Sequence, residues 1–230
     1  TPNGSFYTFT SRLGLDVTGP DIGKARSSAK IETDFGGFSG SNTMLRIRQA
    51  YINLDWGKSA VLVGITWHPL FGAVMPDVLN LSTGAPFQPF NRSPQIRYQY
   101  KANSRVQLTA SVLWQLQYLS SGPKGMSEDY IKNSCIPEMF VGADFTPADG
   151  WLMGLGAHMI SLKPRTSTEW KEQTFKVNER MTAFSYEAHL KYSGRNYTFA
   201  AKTLMASALD HTALLGGYGV SSVDSRTGEQ

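Results

Sequence analysis

In Arg105-Val106-Gln107-Leu108-Thr109-Ala110-Ser111-Val112-Leu113-Trp114-Gln115, apolar and polar side chains alternate almost without fault. Val106, Leu108, Ala110, Val112 and Trp114 share one parity. Arg105, Gln107, Thr109, Ser111 and Gln115 share the other, and Leu113 is the exception. A period of two sends successive side chains to opposite faces of a pleated sheet. The stretch is therefore read as a strand with one greasy and one watered face.

The same pattern recurs on both sides of it. From Thr182 to Tyr192, Thr182, Phe184, Tyr186, Ala188, Leu190 and Tyr192 oppose Ala183, Ser185, Glu187, His189 and Lys191. Phe9 to Val17 and Ser28 to Phe35 alternate likewise, and further strands are read at 44–56, 59–67, 95–101, 137–146, 150–162, 196–206 and 211–220. No stretch holds a sustained 3.6-residue period, so the chain is read as all-β and antiparallel. The phase slips once, because Leu45 and Ile47 lie on one parity while Ile52, Leu54 and Trp56 lie on the other. A β-bulge near Gln49 or Ala50 would return them to one face.

The connections sort by length. Gly57-Lys58, Ala102-Asn103, Pro147-Ala148-Asp149 and Ser193-Gly194-Arg195 are tight turns, and 68–94, 116–136 and 163–179 are long loops alternating with them. Short turns on one rim and long loops on the other are the asymmetry of a bacterial membrane barrel, and a soluble sandwich has no reason to sort its loops by parity. The longest predominantly apolar run, Ala60 to Trp67, is far below the ~20 residues of a spanning helix, so a membrane location requires a closed barrel.

The apolar face is then expected to meet outer-membrane lipid. Tyr7, Trp56, Trp67, Tyr98, Tyr100, Trp114, Trp151, Tyr192 and Tyr197, near strand ends, suit interfacial girdles. The polar face carries Arg12, Lys30, Glu32, Arg46, Arg48, Arg97 and Arg105, which are expected to line a water-filled lumen. Residues 1–230 read as a single barrel domain. The Pro- and aromatic-rich 68–94 segment is too long for a hairpin and too apolar for a solvated loop. It is expected to fold into the mouth and narrow the pore, with Asp77, Asn80, Asn91 and Arg92 facing the water.

Ser11-Arg12-Leu13-Gly14-Leu15-Asp16, Leu45-Arg46-Ile47-Arg48-Gln49-Ala50-Tyr51, Gly64-Ile65-Thr66-Trp67-His68-Pro69 and the run from Asn80 to Pro94 give the chain its resemblance to known proteins. On these residues it resembles porins of the Bacteroidota outer membrane, akin to the DcaP-like barrels. The likeness covers the first hundred residues, and the rest only as a pattern of strands. It implies a transmembrane barrel of about sixteen strands, trimeric or part of a larger outer-membrane assembly, passing small polar or anionic solutes. The present chain is accordingly read as an incomplete barrel, ending in a polar tail rather than a terminal aromatic strand.

Other chemistry finds little support. A net charge of +4 without a basic run argues against nucleic acid. No G-x-S-x-G elbow is present, and Gly19-Pro20-Asp21-Ile22-Gly23-Lys24 is a turn rather than a phosphate loop, so no catalysis and no cofactor are expected. Cys135, alone, is read as a loop thiol. His68, His158, His189 and His211 lack metal-ligand spacing and are read as separate lumen or rim groups. Two rivals remain: an accessory barrel whose lumen is plugged by 68–94, and a soluble barrel enclosing a ligand.

Overall fold

A computed structural model describes residues 4, 11–36, 44–72, 74–75, 87–170, 172–222 and 224–226. Ten strands form one antiparallel sheet: β1 (Arg12–Thr18), β2 (Arg26–Asp34), β3 (Arg46–Asp55), β4 (Ser59–Trp67), β5 (Arg92–Lys101), β6 (Val106–Leu113), β9 (Glu138–Phe145), β10 (Trp151–Leu162), β13 (Met181–Ser193) and β14 (Thr198–Met205). Each pairs with its neighbour in chain order, and among the described residues β1 and β14 are the edges of an open wall. The connections 19–25, 56–58, 102–105, 146–150 and 194–197 are short. The long ones on the opposite rim carry structure of their own: a β7–β8 hairpin (Ser121–Gly122, Gly125–Met126), the helix α1 (Asp129–Ser134) and a β11–β12 hairpin (Ser167–Trp170, Gln173–Lys176).

Register converts the alternation into two faces. Val112, Ala110 and Leu108 of β6 stand beside Met139, Val141 and Ala143 of β9, and Val141 is itself opposite Ala157 of β10. Side chains on this face are open: Leu13 62%, Ile52 58%, Val141 58% and Leu155 67% exposed. Spread over the whole sheet, so much exposed apolar surface exceeds what a soluble monomer shows and is the outer face of a barrel in lipid. Trp56, Tyr98, Tyr100, Phe145, Tyr197 and Phe199 all stand exposed toward the short-turn rim. There Trp151 and Tyr192 pack at 4.7 Å between ring centroids.

The phase slip is a bulge one residue earlier than expected. Glu32 faces Gln49 and Thr33 faces Ile47, so Arg48 is the extra residue of β3. Ile47 and Ile52 thereby share the outer face, while Arg46 and Arg48 both turn inward. Nearby, β4 crosses so close to β3 that a Cβ on Gly64 would stand 2.2 Å from the Ala50 carbonyl oxygen, at a φ of +135° that side chains rarely adopt.

Three further expectations are corrected. The 211–220 stretch forms no strand: a 3-10 turn at Asp210–Thr212 is followed by irregular chain, because two glycines at 216 and 217 interrupt a short apolar run. Trp67 leaves the lipid girdle and stacks on Phe71 at 4.1 Å. β5 starts at Arg92, so the long connection ends at Asn91 rather than at Pro94. Tyr7 lies outside the described residues. Cys135 is exposed at the C-terminal cap of α1.

Candidate functional site: the inner wall and the segments seated on it

Alternate residues of β1–β3 build a ladder of charge on the inner face. Asp34 accepts from Arg46 Nε and Nη2 at 2.8 and 2.6 Å and from Arg48 Nη1 at 2.6 Å. Arg48 Nε reaches Glu32 at 2.6 Å, and Arg12 stands 4.0 Å from the same carboxylate. Lys30 is paired with Asp16 at 3.0 Å, and Arg26 with Asp55 at 2.8 Å. Arg46 and Arg48 share the inner face by alternation, and the bulge adds Gln49 to that face, where its Oε1 accepts from Thr66 Oγ1 at 2.9 Å. Of the residues expected to line the lumen, Arg12, Lys30, Glu32, Arg46 and Arg48 are thus brought together, as ion pairs rather than as a bare basic ladder.

The others separate. Arg97 lines the inner cavity but among the described residues donates only to neutral acceptors, Gln95 Oε1 at 2.8 Å and the Trp67 carbonyl at 2.6 Å. Arg105 is not at mid-strand: it is exposed in the 102–105 turn at the rim, where Asn103 Oδ1 accepts its amide. Arg92, expected to face water, is 1% exposed instead. Its guanidinium lies 5.0 Å over the Trp67 ring and 5.9 Å over Phe90 and donates to the Tyr118 hydroxyl. The aromatic side chains gathered by the 68–91 connection supply a cation–π bed there, an attraction that exposure to water would weaken. Asn91 is buried as well, with its carbonyl accepting the His68 amide at 3.0 Å. Asp77 and Asn80 lie outside the described residues.

Two segments sit against the concave face of β6, β9, β10, β13 and β14. One is the 3-10 turn Pro69–Phe71, whose Leu70 and Phe71 carbonyls accept from Lys202 of β14. The other is the turn at Asp210–Thr212, tied down by Phe90 N to Thr212 O at 2.7 Å and Ser121 N to Asp210 Oδ2 at 2.7 Å. Leu70, Leu113, Phe140 and Leu209 pack between them as a small dry cluster. The wall makes room through inward glycines: a Cβ on Gly142 or Gly156 would meet the Phe140 ring at under 3 Å. Beside this cluster a polar cavity of about 350 Å³ opens, lined by Thr66, Arg97, Gln99, Gln107, Asp144 and His189, among others. His189 lies 3.1 Å from Asp144, and Lys202 lies 3.4 Å from Glu187 at its edge.

Sequence reading kept the histidines apart, and three of the four converge. Glu138, first residue of β9, receives Nε2 of His68, His158 and His211 on one oxygen, Oε2, at 3.3, 3.2 and 3.1 Å. All four side chains have no exposure. The other carboxylate oxygen accepts from Gln115 Nε2 at 3.0 Å, and Gln115 is fixed by Ser120 through two further bonds. Burial disfavours a charged His68 and draws its pKa down to about 4. In His211 the same burial is outweighed by the Glu138 carboxylate, and its pKa is raised. The inward parity of His158 and the Pro-rich stretch after His68 were legible. Their meeting depends on register and on the path of two connections.

No family model and no curated protein matches the chain. Among solved structures it is similar to a loop L8 deletion mutant of OmpT, an outer membrane protein of Vibrio cholerae. The TM-score is 0.54 at 13% identity, over 86% of this chain and 61% of that one. OmpT of Vibrio cholerae itself gives 0.48 at 13% identity, over 85% and 57%. OprB of Pseudomonas putida gives 0.46 at 12% identity, over 79% and 54%. The chain therefore spans between 54% and 61% of the length of these proteins. The first likeness and the lipid-suited outer face agree on the fold: the sheet is wall from an outer-membrane β-barrel.

Proposed function

We propose that the chain is part of a bacterial outer-membrane pore through which small hydrophilic solutes diffuse passively, without catalysis and with a mild anion preference. One observation carries this reading. The sheet is apolar on its outer face, while its inner face carries ion pairs along β1–β3 and a polar cavity open against β4, β5, β6, β9 and β13. A wall built so excludes lipid from water on one side and solvates a lumen on the other. The preference is mild because Asp16, Glu32, Asp34 and Asp55 neutralise most of the inner cations. Arg97, facing only neutral acceptors, tips the balance. A homotrimer belongs to the same proposal, and mass measurement in detergent tests it.

Reversal potentials across a planar bilayer in a salt gradient test the passage itself. A small potential of anion-selective sign is expected, reversed or abolished in Arg97→Glu. Cation selectivity in the unaltered protein overturns the preference, and a membrane that stays non-conducting overturns the pore. A second reading has its own support, for the two seated turns pack on the inner wall as a dry cluster and fill part of the lumen. On that reading the barrel is an accessory subunit with a plugged interior, and liposomes carrying it do not swell in sugar solutions.

A further inference from the structure

We propose that Glu138, His68, His158 and His211 form a closed, four-coordinate site for a divalent transition-metal ion of the zinc class. The site stands apart from the pore reading, since it would serve an open barrel and a plugged one alike. Its first support is distance. A tetrahedral zinc centre with bonds of about 2.0–2.1 Å holds neighbouring ligand atoms roughly 3.3 Å apart. The three Nε2 atoms lie 3.3, 3.2 and 3.1 Å from Glu138 Oε2, so three of the six edges of such a tetrahedron are in place. Donor atoms of His68, Glu138 and His158 all lie within 4.8 Å of one another. His211 stands outside that set and is tied to it through Glu138 Oε2, so loading must draw its imidazole toward those of His68 and His158.

The second support is the shell behind the donors. A carboxylate that binds a metal through one oxygen is held in place by a hydrogen bond to the other. Gln115 Nε2 provides it at 3.0 Å, and Ser120 clamps Gln115 in turn. Nδ1 of His158 and of His211 is buried with no hydrogen-bond partner among the described residues, so each can carry the proton that Nε2 ligation requires without displacing a donor. His68 differs. Its Nδ1 accepts the Leu70 amide at 3.2 Å, and that bond must open when Nε2 takes a metal, so loading reshapes the start of the 69–71 turn.

Donor chemistry sets the class of ion. Three imidazoles and one carboxylate suit zinc, with copper(II) a tighter competitor and cobalt(II) a faithful probe. No exposed edge leaves a position for water, which marks a structural rather than a hydrolytic centre. Such an ion would tie together the exit of β4, the wall strands β9 and β10, and the turn that follows β14. It would hold the two seated segments against the wall.

The test uses the detergent-extracted protein, stripped with a strong chelator and then titrated with Zn²⁺ and with Co²⁺. One equivalent of Zn²⁺ per chain is expected by elemental analysis and calorimetry. The Co²⁺ form is expected to show the intense visible bands of four-coordination, and chelator is expected to lower the unfolding midpoint until Zn²⁺ restores it. Glu138→Gln should abolish stoichiometric binding. Because that variant risks misfolding, Gln115→Leu, which touches the carboxylate without being a ligand, should weaken Zn²⁺ binding about 10- to 100-fold while circular dichroism stays that of the wild type. Absence of stoichiometric metal overturns the proposal. So do a six-coordinate Co²⁺ spectrum and a Zn²⁺ affinity indifferent to both substitutions, each of which would mark an adventitious ion.

Discussion

Replacing Val141 by arginine puts the orientation of the wall to a quantitative test. Val141 stands midway along β9, on the outer face, between Ala110 of β6 and Ala157 of β10, and is 58% exposed. Midway along a strand that crosses the bilayer, this is near the membrane midplane, where an arginine on the lipid face costs about 2–4 kcal/mol. At about 1.36 kcal/mol per decade that is roughly a 30- to 900-fold loss in the folding equilibrium. Gln107→Arg provides the matched control, since Gln107 lines the inner cavity and a guanidinium there remains in water. Urea unfolding in lipid vesicles, followed by tryptophan fluorescence, reads both. Were the outer face bathed in water instead, Val141→Arg would fall within about 0.5 kcal/mol of the wild type, as surface substitutions do. Equal midpoints for the two variants would therefore sink the assignment of lipid and lumen, and with it the pore.

Two other substitutions probe the inner wall. Arg48→Met strips Glu32 of one short charge-assisted bond and leaves Asp34 with Arg46 and the Gly36 amide, and a loss of about 2–3 kcal/mol is expected by the same unfolding assay. A double-mutant cycle with Glu32→Gln should show coupling of about 1–2 kcal/mol, and additivity within about 0.5 kcal/mol would mean the lumen screens the pair completely. Gly64→Ala, which forces a Cβ onto the Ala50 carbonyl at a positive φ, should cost at least about 1–3 kcal/mol. A stable Gly64→Ala variant with unchanged strand content would show that β3 and β4 do not approach so closely.

What could be read in advance was whatever depends on neighbours along the chain. Alternation at 105–115 and 182–192 needed only a parity rule, and both became strands of the wall, one face in lipid and one in the lumen. The break at 45–52 announced a bulge, and only the pairing with β2 could put it at Arg48. Trp67 illustrates the limit of that rule. By parity it belongs with Val63 and Ile65 in the lipid band, yet Phe71 and Arg92 offer stacking at the strand's end, where the sheet no longer dictates direction.

The inner cluster is the opposite case, because no local pattern encodes it. Glu138 reads as an unremarked strand opening after Pro137, and its three imidazoles come from the end of β4, the middle of β10 and a turn beyond β14. A carboxylate fully withdrawn from water is costly unless several donors converge on it. The register that places His158 beside Phe140, and the two connections that bring His68 and His211 back across the lumen, are therefore specified together with Glu138. Exchanging Glu138 for a residue of similar size without charge would remove the acceptor on which both connections converge, leaving Lys202 to hold the 69–71 turn and Ser121 and Phe90 to hold the 210–212 turn.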